Sequence, residues 1–130
     1  MKYNGFFLLT LICLSAGCTR TKAQQEVYQK ISAADAQKMM AELKDFMILD
    51  VRTEAEYREG RIAGAVLIPD YEIKDRAEKE LPDKNKVILV YCRSGRRSAN
   101  AAGVLAGLGY VNVYDFGGIN SWPYETVSDN

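Results

Sequence analysis

At 130 residues, 48% of them apolar, the chain is long enough for one compact core and too short for two ordinary domains. Its 17 basic and 17 acidic side chains balance, so no global field favours nucleic acid or an anionic membrane surface, and any anion binding must come from a local cluster. Histidine is absent, which excludes Ser-His-Asp, Cys-His and phosphohistidine chemistry, and the three cysteines, Cys13, Cys18 and Cys92, are too widely spaced for a zinc cluster; no metal or cofactor is expected.

The chain opens with Lys2, an apolar stretch from Phe6 to Leu14 and small residues before Cys18, the layout of a secretory signal that is too short to span a bilayer permanently. L-S-A-G-C resembles a bacterial lipobox, in which the cysteine thiol is acylated and becomes the first residue of the mature protein; Ser15 stands where leucine is usual. Residues 1–17 are therefore expected to be a signal peptide, 18–26 a flexible polar tether and 27–125 the folded domain, exported and anchored to a cell-envelope membrane through lipid on Cys18. The alternative is ordinary cleavage after Ala23, which would leave a soluble periplasmic or secreted protein. In either form Cys92 is the one remaining free thiol. A lone thiol in an oxidising compartment invites intermolecular pairing and oxidation, so its presence favours a function over packing.

From Val27 onward, strand-like and helix-like runs alternate. V-Y-Q-K-I reads as a short strand, and Ser32 caps a helix through Leu43, with Asp35 three positions later acting in the manner of a capping box. F-M-I-L-D-V is a continuous apolar run suited to a sheet buried on both faces. Thr53 caps a short helix, E-A-E-Y-R-E, that Gly60 terminates. A-V-L-I before Pro69 predicts a further strand, E-I-K-D-R-A-E-K-E-L a polar helix, and K-V-I-L-V-Y the strongest strand of the chain, with Cys92 directly after it. R-R-S-A-N-A-A-G-V-L-A-G-L follows as an Ala-rich helix, and V-N-V-Y-D-F closes the sheet. This order predicts an α/β fold, a mostly parallel central sheet flanked by helices, whose ligands sit at the carboxyl ends of the strands, where Cys92 lies.

The segment Cys92-Arg93-Ser94-Gly95-Arg96-Arg97-Ser98 joins a buried strand to a helix N-terminus, where free backbone N–H groups and the helix dipole favour an anion and, equally, a thiolate. A lone cysteine is ordinarily a small buried hydrophobe. Three arginines and Gly95 within five residues of the thiol make a poor apolar core and a good anion cradle, so Cys92 is the expected nucleophile and Arg93, Ser94, Gly95, Arg96, Arg97 and Ser98 the expected substrate-binding set.

That loop, the block L-D-V-R-T-E-A-E-Y-R-E-G-R-I-A-G-A-V-L-I-P from Leu49 to Pro69 and F-G-G-I-N-S-W from Phe116 to Trp122 together resemble the rhodanese family of sulfurtransferases, over Val27 to Trp122. Asp50, Arg52, Glu56, Gly60, Ile62, Gly64, Ala65 and Pro69 match the family pattern, whereas Arg61 and Ala63 stand where the family usually has histidine and proline. The resemblance implies a rhodanese-like fold and a two-step displacement. Cys92 takes the outer sulfur of a small anionic donor such as thiosulfate, and a thiol or cyanide acceptor removes it from the persulfide. It also makes Asp50 and Arg52 supporting candidates that help hold the loop, with an ordinary core salt bridge as the competing reading. With its charges balanced, the chain is expected to have no nucleic-acid partner, and it is expected to be monomeric.

Gly117 and Gly118 are expected in a tight turn beside the site. G-V-L-A-G-L-G from Gly103 to Gly109 is better read as helix packing with a C-terminal cap than as a nucleotide loop, and Trp122 and Tyr124 as packing residues. A phosphatase of the Cys-X5-Arg type needs arginine six positions after the cysteine, and that position is Ser98. A binding module of this fold without catalysis would tend to lose the cysteine, and this chain keeps it.

Overall fold

The computed structural model describes residues 27–130; the segments expected to be a signal peptide and a tether, and with them Cys18, lie outside the described residues. Five strands, β1 (Gln29–Lys30), β2 (Phe46–Asp50), β3 (Val66–Leu67), β4 (Val87–Cys92) and β5 (Val113–Gly118), form one parallel sheet in the order β1-β5-β4-β2-β3. Helices α1 (Ala33–Glu42), α2 (Glu54–Glu59), α3 (Ile73–Glu80) and α4 (Arg96–Gly107) supply the crossovers, with 3-10 turns at Asp70–Glu72 and Ile119–Ser121.

The uninterrupted apolar runs of β2 and β4 exist because both faces of the sheet are covered. Successive side chains still point to opposite faces. Leu49, Ile88, Val90 and Cys92 join Ile73, Ala77, Ala101 and Leu105 from α3 and α4 on one side. Ile48, Leu89 and Tyr91 join Ala36 of α1, Phe116 and Trp122 on the other. Cys92 and Tyr91, adjacent in sequence, therefore belong to different cores.

Several boundaries differ from expectation for physical reasons. The strand expected to close the sheet, β5, is internal, and the two-residue β1 forms the edge beside it, continued by the Ile31 N–H donating to the Asp115 carbonyl at 2.9 Å. Ser32 caps α1 by accepting from the Asp35 N–H at 3.0 Å, but the Asp35 carboxylate receives the Ser32 hydroxyl and not its backbone N–H. The reciprocal box is complete at α2, where the longer Glu56 reaches back to the Thr53 N–H. Gly60 ends α2 in an extended conformation, φ 173°, that any residue adopts. The polar helix begins only at Ile73, after the turn at Asp70–Glu72. Gly109, at φ 95°, caps the end of α4, and the Tyr110 N–H reaches back to the Leu105 carbonyl at 3.1 Å.

Residues beyond 125 also join the fold. Val127 and Arg61 exchange backbone hydrogen bonds of 2.8 Å each, and Arg61 pairs with Asp129 at 2.7 Å while lying over the Tyr57 ring. Arginine at position 61 thus fastens the C-terminal residues to the connection between α2 and β3. No described helix is long and apolar enough to cross a membrane.

Candidate active site

Cys92 is the last residue of β4, and α4 begins four residues later, so the site is a tight strand-to-helix loop. Gly95 N-caps α4 at φ 105°, a left-handed conformation costly for any residue with a Cβ, and this turn aims its N–H back at the cysteine. The Cys92 Sγ accepts that N–H at 3.0 Å and lies 3.4 Å from the Ser98 hydroxyl. The Ser98 hydroxyl in turn donates toward the Gly95 carbonyl at 3.1 Å, with the Gly117 carbonyl 3.4 Å away. Backbone N–H donation and the N-terminus of a twelve-residue helix both stabilise negative charge on the sulfur.

The loop rests on the F-G-G segment. β4 and β5 slip in register between the pairs Val90–Asp115 and Cys92–Gly118, so β5 carries one extra residue there. Gly117 absorbs it at φ 89°, with its N–H held by the Asp115 carboxylate at 3.0 Å. At Gly118 any Cβ would overlap the Arg93 carbonyl oxygen and sit 2.6 Å from the Ser94 Cα, so the backbones of loop and strand touch directly. The Asn120 N–H completes the seat by donating to the Arg93 carbonyl at 3.1 Å. The two glycines therefore lie within β5, packed beneath the loop, and form more than the tight turn expected.

Asp50 and Arg52 form a buried network on the sheet face opposite the sulfur. The Arg52 backbone N–H and Nε donate to Asp50 Oδ1 at 2.9 and 3.0 Å, and Nη2 donates to Asp50 Oδ2 at 2.6 Å and to the Gly60 carbonyl at 2.6 Å. The Tyr91 hydroxyl also donates to Asp50 Oδ2, at 2.6 Å, and accepts the Ile62 N–H at 3.2 Å. Burial works against the Arg52 charge, and the Asp50 carboxylate more than restores it. Burial first and the Asp50 charge second push the Tyr91 phenol well above its ordinary range. The network fastens β2, β4 and the end of α2 together, which positions the last residues of β4 without touching the sulfur.

The three arginines do not form one cradle. Arg96 and Arg97 line a cleft of about 470 Å³ with Asp70, Ser94 and Asn100. Arg93 lies in a separate cleft of about 280 Å³ with Arg52, Glu56, Glu59 and Asn120. Arg97, expected to face the ligand, has both terminal nitrogens on the Glu56 carboxylate at 2.8 Å each, and Glu56 Oε2 also accepts the Thr53 N–H and hydroxyl at 3.0 Å. The Arg97 hydrogen bonds, opposed by burial and reinforced by Thr53, bring the Glu56 carboxyl down to about 2. This pair ties the start of α4 to the start of α2. Gly95 and Ser98 lie inside the loop against the sulfur, and Ser98, fully buried, fills the position where a Cys-X5-Arg loop needs arginine. Glu56, Tyr91 and Asp115 were absent from the expected site. The Thr53-x-x-Glu56 spacing signals the first, and strand parity signals that Tyr91 faces away from the cysteine.

Cys92 itself is wholly buried, while Arg93, Ser94 and Arg96 of the same loop are exposed. Among the described residues no group of three or more possible ligands could hold a metal ion.

The rhodanese-like domain family model matches residues 32–124. The thiosulfate sulfurtransferase PspE of Escherichia coli is 39% identical over 71 residues, covering 55% of this chain and 68% of that protein. A sulfurtransferase of Allochromatium vinosum is 35% identical over 94 residues, covering 72% and 86%. Among solved structures, a rhodanese with anions from E. coli superposes with a TM-score of 0.59 at 35% identity, covering 63% of this chain and 96% of that one. Family match, parallel sheet and a cysteine loop at the end of the central strand agree, and the chain belongs to the rhodanese family of sulfurtransferases.

Proposed function

We infer that the protein moves a sulfane sulfur from thiosulfate-like donors to a thiol or cyanide acceptor through a persulfide on Cys92. The observation that carries this reading is the Cys92 sulfur receiving the Gly95 N–H at 3.0 Å at the N-terminus of α4, beside the cleft of Arg96 and Arg97. In the first step the Cys92 thiolate attacks the outer sulfur of thiosulfate. The sulfur–sulfur bond of the donor breaks, sulfite leaves with the bonding pair, and the transferred sulfur remains on Cys92 as a persulfide anion. In the second step the acceptor's nucleophilic atom attacks that outer sulfur, and the pair of the Cys92–sulfur bond returns to Sγ as thiolate. The loop N–H and the helix terminus stabilise the sulfur anion at both stages.

Of the charges that line the larger cleft, Arg97 is held by Glu56, which leaves Arg96 as the cation that receives an anionic donor beside Ser94 and Asn100, with Asp70 opposite. Thiosulfate is accordingly the better donor than 3-mercaptopyruvate, which carries one carboxylate and a neutral carbonyl. Steady-state transfer to cyanide from the two donors tests this. Arg96→Ala lowers kcat/KM for thiosulfate about tenfold or more, as expected for one charge-assisted contact, and Cys92→Ser abolishes turnover. Equal rates from both donors, with indifference to Arg96, would assign recognition to the backbone alone.

The domain acts at a cell-envelope membrane through acylated Cys18 and the 18–26 tether, a reading supported by L-S-A-G-C after a short apolar run. Labelled palmitate should mark the bacterially expressed protein and leave Cys18→Ala unmarked. A mature N-terminus at Gln24 would instead identify a soluble exported form. The mature protein acts as a monomer in this reading, to be checked by its sedimentation.

A further inference from the structure

Residues 60–62 link α2 to β3 outside the central sheet, yet every backbone polar group among them has a partner. The outermost two are local: the Gly60 N–H donates to the Glu56 carbonyl at 3.3 Å, and the Ile62 carbonyl accepts the Ala65 N–H at 3.1 Å. The four groups between them alternate in direction, as in a strand paired on both sides. On one side the Gly60 carbonyl accepts from Arg52 Nη2 at 2.6 Å, and the Ile62 N–H donates to the Tyr91 hydroxyl at 3.2 Å. On the other the Arg61 N–H and carbonyl exchange 2.8 Å bonds with Val127 in a one-pair antiparallel bridge. The Arg61 side chain completes this second contact. Nη2 pairs with Asp129 Oδ1 at 2.7 Å, Nη1 donates to the Tyr57 carbonyl at 3.1 Å, and the guanidinium lies 4.4 Å from the centre of the Tyr57 ring.

The segment is thus gripped from two sides. Its partners on the first side, Arg52 and Tyr91, both bind Asp50, and Tyr91 immediately precedes Cys92 in β4. Its partners on the second side, Val127 and Asp129, are exposed, and among the described residues Val127 is the only backbone partner of Arg61. We propose that Arg61 is a positioning residue for sulfur transfer: by fastening Val127 and Asp129 it holds the 60–62 backbone against the Asp50–Arg52–Tyr91 network, and so fixes the end of β4 that carries the Cys92 sulfur. The role assigned to Arg61 rests on the sulfurtransfer reading above and acts on its chemical step, not on donor binding. Among the described residues no hydrogen bond or ion pair joins Arg61, Val127 or Asp129 to residues 93–98, so the loop's own contacts to a donor are untouched. The route to the sulfur runs from Arg61 through the Ile62 N–H and the Tyr91 hydroxyl, one residue from Cys92. A sulfur displaced along that route attacks in poorer alignment, which slows the reaction of bound donor.

Three substitutions release the contact without opening a core. Arg61→Gln and Asp129→Ala remove the ion pair, and Val127→Pro removes the N–H that donates to the Arg61 carbonyl. Persulfide formation on Cys92 is followed in single turnovers over a range of thiosulfate concentrations, at a temperature where circular dichroism shows each variant fully folded. Each substitution should lower the saturating rate about threefold, the scale of one partly exposed ion pair or hydrogen bond, and leave the half-saturating concentration within about twofold. In a Tyr91→Phe background, where the acceptor of the Ile62 N–H is already gone, the same substitutions should change the rate less than about 1.5-fold. Proton NMR gives a readout independent of turnover: the Ile62 amide signal should move upfield as its hydrogen bond lengthens, and the Cys92 amide signal should move with it. Rates within about 1.5-fold of wild type in all three variants, or a loss that persists undiminished in Tyr91→Phe, would overturn the role of Arg61 while leaving sulfur transfer intact. Amide shifts confined to residues 57–62 and 126–130 would overturn it equally. A wild-type protein that forms no persulfide would overturn the parent reading and this one with it.

Discussion

Replacing Glu56 by glutamine keeps an oxygen for the Thr53 cap and removes the charge that faces Arg97, so it isolates the ion pair joining α2 to the active-site helix. The Glu56 carboxyl sits at about 2 against an ordinary value of 4.5, first because of its two hydrogen bonds from Arg97. At ~1.4 kcal/mol for each tenfold change in acidity, the folded state favours the carboxylate by at most about 3.5 kcal/mol. The side chains of Arg97 and Glu56 are 29% and 19% exposed, and solvent screening trims the expected loss in Glu56→Gln to about 1–2 kcal/mol. For a domain of this size that is roughly 4–16 °C in Tm. The sign follows from the direction of the shift. A carboxyl whose folded value is depressed contributes fully above its unfolded value of 4.5 and loses that contribution as pH falls toward 2. Urea denaturation of wild type and variant should therefore show a constant gap from pH 6 to 8 that narrows below about pH 4.5 and closes only as pH falls through about 2. A gap below about 0.3 kcal/mol at pH 7, or one that persists unchanged in acid, would refute the reasoning.

Other substitutions probe the loop's seat and the buried network. Gly118→Ala places a methyl group against the Arg93 carbonyl and Ser94 Cα, and since backbone cannot rotate away as a side chain can, the loop must shift. The expected result is a cost of about 1–3 kcal/mol and at least a tenfold fall in sulfur transfer, with the far-UV circular dichroism of the sheet retained. Gly103→Ala is the matching control. It lies within α4, its added carbon meets only the Tyr28 ring at 3.9 Å, and alanine there should raise stability by about 0.5–1 kcal/mol without changing turnover. Tyr91→Phe removes one donor from Asp50 Oδ2 and the acceptor of the Ile62 N–H, and should cost about 1–3 kcal/mol in urea denaturation.

The alternation of apolar runs and helix caps carries the α/β order, and the C-R-S-G-R-R-S loop carries the site, because both depend on local chemistry. What the sequence conceals is side-chain direction at the end of the sheet. Arg93, Arg96 and Arg97 read as one cationic cluster, yet the loop turns between Arg93 and Arg96 and sends them to different clefts. Arg97 reads as a ligand for an anion, but its partner is 41 residues away in sequence, on a helix whose capping box leaves a glutamate carboxylate pointing at α4. Asp50 and Arg52 come close to Cys92 through strand pairing, and the alternation of β4 then puts Tyr91, not the cysteine, on their side. The seat at Gly118 depends on a register slip that no single-residue pattern signals. Arg61 draws attention as a departure from the family pattern, and its role emerges only once Val127 and Asp129 fold back onto it.

The account's central claim is that Cys92 itself carries the sulfur. The most direct measurement is the intact mass of the mature protein after incubation with thiosulfate and removal of excess donor, followed by peptide mapping of the modified species. The expected result is a gain of one sulfur atom, located on the peptide containing Cys92, removed by a thiol or by cyanide and absent from Cys92→Ser. An unchanged mass, or a sulfur that persists in Cys92→Ser, would contradict it.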